Sequence, residues 1–218
     1  MLVLLREVLA EEDIVRVRRG LDDAEWVDGR ETAGAAARAV KANQQARANP
    51  RMDALAHFLR AALERHEVFS AAARLARPLK LLFSRYHAGM AYGLHTDDAI
   101  MGAGEGRIRT DLALTLFLSA PETYEGGALI LETAAGESRI KLAAGDAVLY
   151  GAGALHRVET VTAGERLACV GWGQSLVRDP AQRELLFDLA RARRSDGPEA
   201  RLLLDKVSSN LLRMWAEP

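Results

Sequence analysis

The chain has little sulfur and almost no charge imbalance. One cysteine in 218 residues rules out an internal disulfide, so a buried core has to stabilise the fold. The lone thiol, Cys169 in the apolar run "RLACVGW", reads as a core residue and agrees with a reducing compartment. Lys and Arg total 29 against 30 Asp and Glu, a formal net charge of −1. That balance gives no global attraction to nucleic acid or to anionic lipid, and neither is expected as a partner. The opening "MLVLLREVLAEED" breaks at Arg6 and turns acidic, too short for a signal-peptide core and far too short to span a bilayer. A cytoplasmic location is the expectation. Internal repeats, low-complexity tracts and blocks of like charge are also missing.

What is present divides into three stretches. Residues 1–78 read as a helical flank. Ile14, Val17 and Leu21 recur at helical spacing within 10–25, and the pattern over 51–77 stops before Pro78. The alanine-rich 33–48 fits a helix or an ordered loop. Residues 79–176 change to short runs such as "LKLLFSRYH", "LALTLFLS", "GALILET", "DAVLYG" and "RLACVGWGQSL", broken by "EGG", "AAGD" and "TAGE". Close, regular spacing of such strands predicts an antiparallel sandwich or barrel, with Gly126 and Gly127 as turn formers. Residues 177–218 return to helical periodicity on either side of "SDGPE", which predicts a helical hairpin. Its Leu211, Leu212 and Trp215 suit helix packing or a homodimer surface.

The chemistry lies in the β region. In "YGLHTDDAI", His95 and Asp97 stand two apart, and on an extended chain that spacing puts both on one face. His156 opens another strand 59 positions beyond Asp97. Two histidines and a carboxylate form the facial triad that leaves three positions open on non-haem Fe(II). Ten residues on, after the "TAGE" turn, Arg166 returns on a neighbouring strand, and its planar fork suits a dicarboxylate that chelates the metal by its other end. Trp172, six further along, shares the face of Arg166 and could wall the pocket. Each feature also has an ordinary explanation: a surface turn for His95 and Asp97, a cross-strand ion pair for Arg166. Alternation turns Asp98 to the opposite face, His87 reads as a solvent-facing turn residue, and His57 and His66 as plain helix residues.

The series "RYHAGMAYGLHTD", "RTDLALTLFLS", "YEGGALIL", "LAAGDAVLYGAGALHRV" and "GERLACVGWGQS" resembles the bacterial PKHD-type hydroxylases, relatives of the prolyl 4-hydroxylases among the Fe(II)/2-oxoglutarate dioxygenases. "AEWVDGRETAG", "VKANQQA" and "QSLVRDPAQRELLFDL" extend the likeness over most of the chain. The resemblance implies a mainly β protein with flanking helices: a double-stranded β-helix (jelly-roll) core over 79–176 plus the C-terminal helical hairpin. It implies His95, Asp97 and His156 as iron ligands, Arg166 as anchor for the distal carboxylate of 2-oxoglutarate, and Tyr86 reaching toward that co-substrate. Fe(2+), 2-oxoglutarate and the reductant L-ascorbate follow as cofactors, with a peptidyl proline or a small molecule such as a siderophore as substrate. One departure stands out: relatives often supply a tyrosine from the "LTLFLS" strand, where this chain offers Thr115, Leu116 and Phe117. The Gly-rich 99–109, "AIMGAGEGRIR", suits a lid whose Arg107 or Arg109 could meet an anionic substrate. Two other classes share the ligand set: a cupin-like metal-binding or sensing protein without turnover, and a zinc hydrolase in which Arg166 would have no task.

Overall fold

The computed structural model describes residues 1–32, 34–193 and 197–217. Helix α1 (Glu11–Asp22) carries Glu11, Glu12 and Asp13 in its first turn and Arg19 in its last, in keeping with its dipole, and buries Val17 and Leu21. The alanine-rich stretch forms only one turn, α2 (Ala35–Arg38). The helical pattern over 51–77 is two helices, α3 (Pro50–Arg65) and α4 (Glu67–Ala73). His66 separates them in extended conformation, its ring accepting the Phe69 N–H at 3.3 Å, so this histidine is a cap and not a plain helix residue. Asp179 caps α5 (Pro180–Ala192), which packs on α4, and α6 (Pro198–Trp215) packs on α5. Ser195 and Asp196 of the "SDGPE" break lie outside the described residues.

The strands are β1 (Leu2–Leu5), β2 (Trp26–Asp28), β3 (Lys41–Ala42), β4 (Gln44–Ala46), β5 (Lys80–His87), β6 (Ala91–His95), β7 (Ile100–Met101) and β8 (Ile108–Arg109). They continue with β9 (Leu112–Phe117), β10 (Tyr124–Gly126), β11 (Leu129–Thr133), β12 (Gly136–Ile140), β13 (Ala147–Gly151), β14 (His156–Val158) and β15 (Val161–Gly173). Among the described residues they build an eight-stranded sheet, β1-β13-β9-β15-β5-β4-β2 with β10 beside β15, and a five-stranded sheet, β12-β11-β14-β6-β3. All these pairings are antiparallel, and the two sheets form the expected jelly roll.

The larger sheet is buried on both faces, as β9 illustrates. Its Leu112, Leu114 and Leu116 pack with Leu59, Leu63 and Phe69 of the helices, while Ala113 and Phe117 turn to the space between the sheets. Leu149 and Cys169 follow the first pattern, Val148 and Tyr150 the second. The periodicity predicts no strand before residue 79, yet β1 pairs with β13, β4 with β5 and β3 with β6. Between β3 and β4 the chain passes from one sheet to the other at Asn43, closing one end of the roll.

Candidate active site

At that end the register sets the side chains. His95 closes β6 and lies opposite His156, the first residue of β14, so the imidazoles are cross-strand neighbours with ring centroids 4.2 Å apart. Asp97 Oδ2 stands 3.9 Å from His156 Nε2, and one ligand atom from each of the three residues lies within 4.8 Å of the others. His95 Nδ1 donates to the Gly93 carbonyl at 2.8 Å and His156 Nδ1 to the Ala154 carbonyl at 3.0 Å. Those bonds hold each ring in the tautomer that leaves Nε2 with a free lone pair. Burial, then the neighbouring His156, pulls His95 down to about 4, so its ring is neutral at physiological pH. Burial raises the Asp97 carboxyl, and its Oδ2 has no hydrogen-bond partner. A bare buried carboxylate oxygen beside two imidazoles whose Nδ1 atoms are already engaged fits a divalent cation in the facial arrangement.

Arg166 enters the same cavity from β15 and is 1% exposed. Its guanidinium carbon lies 5.1 Å from the Tyr86 ring centroid and 5.5 Å from that of Phe117, and Nε and Nη1 have no partner. No carboxylate lies within 4 Å among the described residues, so this is not a sheet-surface ion pair. A buried guanidinium with unmade hydrogen bonds is a site for a planar anion. Tyr86 is buried beside it, with the Asn43 and Ser84 side chains close to its hydroxyl. Trp172 lines the cavity, and its indole is near enough to Asp97 to favour the ionised carboxylate. Of the three candidates on β9, Thr115 and Phe117 face the cavity side and Leu116 turns to the helices; only Thr115 offers an oxygen there.

Several cavity residues escape the sequence reading. Tyr92 stacks on His95 at 3.6 Å between centroids, and Tyr150 meets the His156 ring edge-on at 5.3 Å. Tyr92 and His95 would face opposite ways on a regular strand; the pairs His156–His95 and Val158–Tyr92 enclose a bulge that brings them together. The glycine at 93 was the available signal. Lys41 projects from a two-residue strand that no pattern announces; burial lowers it to about 8, against the pull of Asp97 and Asp28.

Three expectations need correction. Asp98 lines the cavity instead of facing away, because β6 ends at His95 and alternation no longer applies. Arg109 is committed elsewhere, in a two-pronged pair with Asp111 (2.6 and 3.0 Å) and a bond to the Ser175 carbonyl at 3.1 Å. Of the 99–109 segment only Met101, on the β7–β8 hairpin, reaches the cavity wall, and Arg107 does not. His87 is half-exposed, 3.7 Å from Glu165 and away from the triad.

Residues 81–174 match the model of the 2OG-Fe(II) oxygenase superfamily, which gives the class. The chain is 47% identical over 223 residues to a PKHD-type hydroxylase of Synechococcus elongatus and 49% identical over 222 to one of Maricaulis maris, with both chains covered completely each time. It belongs to the PKHD-type hydroxylases, enzymes of the Fe(II)- and 2-oxoglutarate-dependent dioxygenase class. A Pseudomonas putida prolyl-4-hydroxylase shares the fold, with a TM-score of 0.54 at 21% identity over 80% of this chain and 92% of that one. Membership displaces the sensor and zinc-hydrolase readings.

Proposed function

We propose that His95, Asp97 and His156 hold Fe(II), and that Arg166 receives the distal carboxylate of 2-oxoglutarate. One observation carries this assignment: the three converging ligand atoms share a cavity with a buried guanidinium that has no carboxylate partner. When bound, the iron supplies the oxygen activation that couples decarboxylation of 2-oxoglutarate to hydroxylation. The chain supplies geometry. The Gly93 and Ala154 carbonyls fix the imidazoles, Trp172 steadies Asp97, and Arg166, held beside Tyr86, would receive the far carboxylate of the keto-diacid. Thr115, the one β9 candidate that brings an oxygen to the cavity, would serve as second partner of that carboxylate. The substrate is a peptidyl proline or a small molecule, and L-ascorbate is the accompanying reductant. A cytoplasmic site of action agrees with the single buried thiol.

Anaerobic titration with Fe(II) and 2-oxoglutarate tests the assignment through the visible charge-transfer band of the chelate. His95→Ala is expected to abolish the band. Arg166→Ala is expected to keep it but to demand far more 2-oxoglutarate. Bands indistinguishable from the parent in both variants would place the site elsewhere.

A further inference from the structure

Arg166 is not the only cation in the cavity. Lys41, on the edge strand of the five-stranded sheet opposite Tyr92, is 6% exposed and points at the same space. Its ammonium makes a 3.3 Å hydrogen bond to the Thr32 hydroxyl and stands 5.1 Å from the Tyr92 ring centroid. No carboxylate lies within 4 Å of it among the described residues. Lysines this buried are almost always paired, because an ammonium stripped of water needs a counter-charge. The two carboxylates whose charge reaches it are otherwise engaged. Asp28 accepts the Arg30 N–H at 2.9 Å from an exposed position, and Asp97 is spent on the metal in the assignment above.

We propose that Lys41 is a substrate-binding residue and that the hydroxylated molecule carries a small anionic group, a carboxylate in the first instance, which Lys41 receives beside the iron. The proposal rests on the iron and 2-oxoglutarate assignment. That assignment already accounts for Arg166, which enters from the other sheet and is not among the charges felt by Lys41, whereas Lys41 is felt by His95. Two unpaired cations and one co-substrate tail leave one cation over, and it stands on the triad's side of the cavity.

The test uses the anaerobic protein loaded with Fe(II) and 2-oxoglutarate and a panel of probes in pairs: L-proline, N-acetyl-L-proline and small aliphatic acids, each beside its primary amide. Perturbation of the charge-transfer band and calorimetry report binding without turnover. At least one acid is expected to bind more tightly than its amide, and Lys41→Met to weaken that acid by about thirtyfold while leaving the amide alone. Lys41→Arg should restore most of the preference, which a merely misfolded pocket would not show. The 2-oxoglutarate requirement should stay that of the parent. Should no acid outbind its amide, or should Lys41→Met raise the 2-oxoglutarate requirement as Arg166→Ala does, the proposal fails and the assignment of iron and 2-oxoglutarate stands. Should the parent form no band at all, both fall together.

Discussion

Gly127 adopts φ +63°, and a Cβ built there would sit 3.1 Å from Arg166 Cδ, 3.1 Å from Tyr124 Cε2 and 2.9 Å from Val161 Cγ2. A residue that reads from sequence as a turn former therefore also makes room for the stem of the guanidinium. Gly127→Ala is expected to cost about 1–2 kcal/mol through its left-handed backbone. It should also push on Arg166, raising the 2-oxoglutarate needed for half-formation of the chelate several-fold while the affinity for Fe(II) holds. Separate titrations with metal and co-substrate read the two effects, and an unchanged 2-oxoglutarate requirement would count against the contact. The same scale shows why some of the site was legible. His95 closes a strand and His156 and Arg166 lie on clearly marked strands, so their positions on those strands bring these three into one cavity, and Asp97 joins them from just past the end of β6. Tyr92 and Lys41 were hidden for local reasons, a bulge in one case and a strand of two residues in the other.

Among the elements, α3 is the clearest case of a boundary written in sequence and only half read. Asn49 accepts the N–H groups of Arg51 and Met52 at 2.9 and 3.0 Å, and Pro50 follows at the first helical position, where its missing donor is harmless. The helix then buries Met52, Leu55, Leu59 and Leu63 behind the larger sheet, on the face away from the cavity. Asn49→Ala is expected to remove about 1 kcal/mol of stability, seen as a lower urea midpoint at unchanged slope, with an intact Fe(II)–2-oxoglutarate band. Loss of the band would mean that the helix positions the site more directly than its packing indicates. Strands such as β9 announced themselves through continuous apolar runs, the mark of a sheet covered on both faces. Strands β1 to β4 did not, being two to four residues long and held by neighbours distant in sequence. Helical spacing likewise ran across His66 without registering its extended backbone.

At the scale of the whole molecule, the cavity end of the roll gathers every tyrosine the chain has. Tyr86, Tyr92 and Tyr150 line the cavity, and Tyr124 lies beside Arg166. Burial raises all four phenols above their ordinary 10.0, and it raises the Cys169 thiol on the far side of the larger sheet as well. Folding thus favours the protonated form of each group. Their contribution to stability is complete below the unfolded values, near 8.5 for the thiol and 10 for the phenols, and is lost as the pH climbs through the higher folded values. Alkali should therefore unfold the chain in a cooperative step that ionises tyrosines together. Ultraviolet difference absorbance of tyrosinate, followed beside near-ultraviolet circular dichroism, is expected to show little ionisation around pH 10 and then a joint transition at higher pH. A thiol reagent should label Cys169 only in that same transition, because the residue is fully buried in the native fold. Gradual tyrosinate formation centred near pH 10 with the dichroism intact would mean that the rings are open to water, and with them the dry cavity on which anion capture by Arg166 and Lys41 depends.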